Sequence, residues 1–166
     1  MFLTTGDTAY IDSTVIDGEE STSAATFISG EDSTSVLVGL SLTNGYTTIN
    51  GGGGIRIENS DPRLKNLKVF SNFANIGGGG ISCEACDSRI TNVTINNNSS
   101  SGKGGGIRIF NGSNPELIDV AINSNSSTEQ GGGVSIEGLP GNNIDLDFNR
   151  LTVQENTSAT VGGGIY

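Results

Sequence analysis

Apolar residues in this chain recur as alternating pairs at a nearly fixed interval. One set is Leu40/Leu42, Leu67/Val69, Val93/Ile95, Val120/Ile122 and Leu151/Val153. A second set is Ile55/Ile57, Ile81/Cys83, Ile107/Ile109 and Val134/Ile136. In-out alternation over so few positions predicts short strands with one buried face. The polar positions keep the same beat. Three residues after each pair of the first set stands Asn72, Asn98, Asn125 or Asn156, with Gly45 in the equivalent place of the first full repeat. Ahead of each pair of the second set run three or four glycines, and a fifth such run precedes Ile165. From Ile55 to Ile81, Ile107, Val134 and Ile165 the steps are 26, 26, 27 and 31 residues.

A fixed period of this size is the signature of a solenoid, whose repeats bury their apolar faces only by stacking. Each rung reads as two strands, a glycine-rich bend between them and a variable turn after the second. The spacing is too tight for an intervening helix. Equivalent strands then pair in parallel about 4.8 Å apart. The aliphatic pairs fill the interior, and Asn72, Asn98, Asn125 and Asn156 form a side-chain amide ladder. The predicted fold class is all-β, a parallel β-helix with rungs of about 26–27 residues. Residues 1–166 form one β-helix domain, with 1–35 an irregular N-terminal rung and 36–166 the regular repeats. The chain stops at Gly164-Ile165-Tyr166, partway through a strand pair, so a segment of a longer helix is expected.

Composition fits that architecture. The hydrophobic fraction is only 33% and aromatics are 5%, low for a chain with an ordinary core but sufficient for a core one rung wide. Asp and Glu total 18 against 8 Lys and Arg, a net charge of −10, which argues against nucleic acid or anionic lipid as partner. Histidine is absent, removing Ser-His and Cys-His nucleophiles and the usual zinc sites. No apolar run approaches the roughly 18–20 residues that span a bilayer.

These motifs resemble the right-handed parallel β-helix superfamily to which pectate lyases belong. Within it the repeats are most similar to those of polymorphic outer membrane proteins, whose rungs carry Gly-Gly-Ala-Ile and Phe-x-x-Asn. Here the first appears as Gly-Gly-Gly-Ile/Val, and the second with Val69, Ile95, Ile122 and Val153 in the Phe place. The resemblance covers roughly residues 36–166. It implies a secreted or surface-exposed bacterial protein, often an adhesin, with a polysaccharide or host-cell-surface ligand. Carbohydrate-active enzymes are the other large population on this fold, and fold alone does not decide between them.

Candidate sites are read across rungs. Arg56 and Arg108 alternate outward beside Glu58, Glu84, Phe110 and Glu137, a strip able to grip a sugar polymer by bidentate hydrogen bonds and ring stacking. The competing reading is a solvated face with cross-strand charge pairs. In the next turn Asp61, Asp87 and Asp145 recur, with Asn114 between. Calcium wants such oxygen ligands, whereas turn chemistry explains the same residues without metal. Calcium is the only cofactor that suggests itself. Pectate-lyase-like enzymes use calcium and a basic proton abstractor. An enzyme reading therefore nominates Asp145, Asp147 and Arg150 beside the longest turn. The scaffold reading instead expects charges spread evenly along the rungs. Cys83-x-x-Cys86 lacks the partners for zinc. Cys83 takes an inward slot, as a small core residue or as half of a local disulfide with Cys86 outside the cell.

Overall fold

A computed structural model describes residues 9–139 and 146–166. After a short 3-10 turn, Ala9–Asp12, every described element is a β-strand, and the strands assemble into three parallel sheets running along one solenoid axis. The long-strand sheet stacks Val15–Asp17, Val36–Thr43, Arg63–Phe70, Arg89–Asn96, Glu116–Asn123 and Phe148–Gln154. The four-residue sheet stacks Ala25–Phe27, Ile55–Glu58, Ile81–Glu84, Ile107–Phe110 and Val134–Glu137. Between them in each rung lies a third sheet of two-residue strands: Tyr46–Thr47, Phe73–Ala74, Ser99–Ser100, Ser126–Ser127 and Thr157–Ser158. Among the described residues no helix is long and apolar enough to cross a membrane.

Register delivers the aliphatic rows. Leu67 faces Val93 and Val93 faces Val120; Val69, Ile95 and Ile122 align likewise. Ile55, Ile81, Ile107 and Val134 form a row, as do Ile57, Cys83, Ile109 and Ile136. Like side chains thus stack on like, and those of the middle rungs are buried.

Two features differ from the pattern reading. The two-residue sheet was not expected, because two residues carry no periodicity. A further core row, Leu64, Ile90 and Leu117, each fully buried, was also missed. Its cause is a left-handed residue inside every long strand: Gly39, Asn66, Asn92, Asp119 and Arg150 have φ of 74°, 53°, 52°, 54° and 57°. One such residue turns a corner and shifts the alternation by one, so Leu64 and Leu67 both point inward.

The glycines serve a different need in the bend. A Cβ on Gly105 would stand 2.3 Å from the Ser126 carbonyl oxygen and 2.5 Å from that of Gly132. Both carbonyls are backbone of the following rung and leave no room for a methyl, so only a residue without a side chain fits.

Candidate functional site

The outward strip of the four-residue sheet is the charged surface singled out by the sequence. Register sets Glu58 beside Glu84, Glu84 beside Phe110 and Phe110 beside Glu137, with Arg56 and Arg108 two residues earlier on their strands. The charges engage one another. Arg56 pairs with Glu58 on its own strand. Arg108 Nε donates to Glu137 Oε1 at 2.7 Å, and Lys103 Nζ donates to Glu137 Oε2 at 2.8 Å. The Arg108 guanidinium also lies 4.1 Å from the centre of the Phe110 ring, within cation–π range. Asn111 Nδ2 donates to Glu84 Oε1 at 2.7 Å.

Burial pushes the Glu137 carboxyl up, but the hydrogen bonds and charges of Arg108 and Lys103 outweigh it and hold the group below its ordinary value. Lys103 went unnoticed in the sequence because it sits in the bend, outside the strand alternation. Its signal was being the lone charge immediately preceding a glycine run. Ser82 and Ser135, on the same outward face, are buried. A sugar approaching this strip meets cations already bonded to carboxylates and a ring already covered.

The aspartate row makes backbone contacts. Asp61 Oδ1 accepts the Asp87 backbone N–H at 2.6 Å, and Asp87 Oδ1 accepts that of Asn114 at 3.0 Å. Each carboxylate thereby braces the turn of the following rung. Among the described residues no group of three or more Asp, Glu, Cys or His side chains converges as a metal site would need. Asp145 lies outside the described residues. Asp147 is exposed at the head of the last long strand, and its carbonyl accepts from Leu117 N–H at 3.0 Å. Arg150 turns to the preceding rung, where its Nη2 donates to Asp119 Oδ2 at 2.6 Å and its Nε bonds the other carboxylate oxygen. That bidentate pairing lowers the Asp119 carboxyl and raises the Arg150 guanidinium, the opposite of what a proton-abstracting arginine requires.

The asparagines are the most completely bonded polar side chains of the interior. Asn98 Oδ1 accepts from Asn72 backbone N–H at 3.0 Å and Asn72 Nδ2 at 2.9 Å. Asn98 Nδ2 donates to Asn125 Oδ1 at 3.0 Å and to the Val69 carbonyl at 2.9 Å. Asn125 repeats the pattern with Asn156 Oδ1 at 2.9 Å, and Asn72 Oδ1 accepts the Gly45 N–H at 2.8 Å. Cys83 and Cys86 are joined by a disulfide, with Cα atoms 5.5 Å apart and both side chains buried.

Residues 92–109 match the Chlamydia polymorphic membrane protein (Chlamydia_PMP) repeat. The matched stretch runs from the left-handed corner at Asn92 through Asn98 and the glycine bend to Ile109, most of one rung. No curated protein and no solved structure matches the chain at a significant level.

Proposed function

We propose that the chain is a length of a surface-exposed bacterial β-solenoid that acts as a non-catalytic adhesin, a binding and spacing scaffold. The observation that carries this reading is the mutual bonding of charged side chains along the rungs. Arg56 with Glu58, Arg108 and Lys103 with Glu137, and Arg150 with Asp119 brace the structure rather than stand poised for proton transfer. The match to a surface-protein repeat over residues 92–109 points the same way. In this reading the Arg56-to-Glu137 strip stiffens one face, and the asparagine file is the polar spine of the stack.

Two assays on the purified chain test it. Beads coated with the chain are expected to adhere to cultured epithelial cells above an uncoated control. Incubation with pectin and alginate is expected to leave both polymers intact. Accumulation of unsaturated sugar products that disappears in Arg150→Ala would overturn the scaffold reading in favour of a lyase.

A further inference from the structure

Basic residues are scarce in this chain, 8 against 18 acids, yet they are not scattered. The three consecutive long strands Val36–Thr43, Arg63–Phe70 and Arg89–Asn96 contain Arg63, Lys65, Lys68 and Arg89 and no carboxylate at all. Asp12 of the N-terminal turn covers Lys68. The other three project from the outer face ahead of the left-handed corner. Arg63 lies in register with Arg89, and Lys65 with Thr91. Arg63 and Lys65 are exposed and have no ion-pair partner among the described residues. Arg89 has one, Glu116 at 3.1 Å, in a pair open to solvent with the arginine side chain 56% exposed.

Like charges directly opposed on neighbouring strands repel unless other groups satisfy them, as Arg56 does for Glu58 and Asn111 for Glu84; Arg63 has no such ion-pair partner among the described residues. The aspartate nearest in sequence, Asp61, is turned instead to the Asp87 N–H. On the N-terminal side the same rows continue as Val36 and Val38, with Val36 51% exposed. Arg63, Lys65, Arg89, Thr91 and these two valines line a depression of about 490 Å³.

We propose that this depression is a binding site for a short stretch of anionic glycan, a chain bearing sulfate or uronate groups. Guanidinium and ammonium groups meet the anions, bidentately at the arginines. The valines meet the apolar faces of the sugar rings. The cationic part of the site spans two rungs, with the valines on a third, because Glu116 and then Asp147 take over the arginine row beyond Arg89. Charge elsewhere selects this occupant over other polyanions. A duplex or a bilayer is broad and would bring its phosphates against a protein of net charge −10, whereas a single glycan chain touches only the patch. The patch also lacks the aromatic rings on which single-stranded bases stack. The proposal rests on the adhesin reading and gives it a ligand class and a place.

The test titrates the full chain with a short heparin-derived oligosaccharide, an oligogalacturonate and a neutral cello-oligosaccharide, following heat of binding and unfolding temperature. Both anionic sugars are expected to bind and raise the unfolding temperature, and the neutral one to do neither. Arg63→Gln and Arg89→Gln are each expected to weaken binding about tenfold. Thr152→Glu, which changes net charge equally at an exposed site away from the patch, should alter it by about twofold at most. In the free chain Arg63→Gln should be at least as stable as the parent, because it relieves a repulsion. Equal binding of the neutral sugar, equal weakening by Thr152→Glu, or tighter binding of duplex DNA or phosphatidylserine vesicles through Arg63 would each overturn the site. Coated beads that hold to cells while the chain ignores both anionic sugars overturn this site and leave the scaffold reading standing. Failure of both overturns both.

Discussion

Asn98 sits where four hydrogen bonds meet and almost no solvent reaches, with a relative exposure of 1%. Asn98→Ala leaves the buried Asn72 backbone N–H without its acceptor and removes one hydrogen bond each from Asn72 Nδ2, Asn125 Oδ1 and the Val69 carbonyl. It is expected to cost about 1–3 kcal/mol in urea unfolding, since a buried group left unpaired keeps its full desolvation penalty. A change below a few tenths would mean that the file contributes nothing to stability. Gly105→Ala is a different kind of lesion. Its methyl would press on two backbone carbonyls that cannot move independently of their rungs. Overpacking of this kind costs about 1–3 kcal/mol or more, so this variant should be at least as destabilised as Asn98→Ala by the same measurement. Both positions were legible in the sequence, for one reason: a stacked fold repeats each interior requirement once per rung, so the requirement appears as a period. Lys65 and Arg89 were not legible as a pair. Arg63 and Arg89 stand one 26-residue period apart, but Lys65 aligns with Val38 and Thr91, a column that repeats no residue type.

The corner is the element that the sequence concealed. Asn66 and Asn92 fit a left-handed conformation that asparagine tolerates, but Asp119 and Arg150 occupy the same column, so no single residue type announces it. The shift of alternation at this corner hid the Leu64, Ile90 and Leu117 row. A second corner follows the four-residue strands at Asn59, Ala85 and Asn111, with φ of 49°, 47° and 56°. Alanine is the poorest of the three there, and this is the rung in which a disulfide closes the turn between Cys83 and Cys86. In the next rung Ser113 Oγ spans the corner by donating to the Phe110 carbonyl at 2.6 Å. Reduction with dithiothreitol is expected to lower stability by roughly 2 kcal/mol, the loop-closure value for so short a ring, seen as a lower urea midpoint. Acid should loosen the four-residue sheet. Glu137 is held below its ordinary 4.5, so its bonds contribute fully above that value and are lost as pH falls through the lowered folded value. Glu137→Gln should therefore cost about 1 kcal/mol at neutral pH and flatten the acid limb of stability against pH, as followed by thermal unfolding at stepped pH.

At the scale of the whole molecule, strand pairing joins each rung only to the rungs before and after it, so stability is a sum over rungs and interfaces rather than the property of one core. Such a stack tolerates variation on its outer faces, and that is where charge collects: ion pairs on both larger sheets, and on the long-strand sheet also Arg63 and Lys65, which have no ion-pair partner among the described residues. If rungs are exchangeable units and binding lies with Arg63, Lys65 and Arg89, one rung away from that patch can be removed whole. Excising residues 108–134 joins Ile107 to Ser135 in register, sets Asn98 against Asn156, and deletes Arg108 and Phe110 while sparing the basic depression. The measurement is cooperative unfolding of the shortened chain together with its adhesion to cells. A cooperatively folded protein of somewhat lower stability that still adheres is the predicted result. A chain that no longer folds would contradict the exchangeable rung, and one that folds but has lost adhesion would place the binding surface on the excised strip.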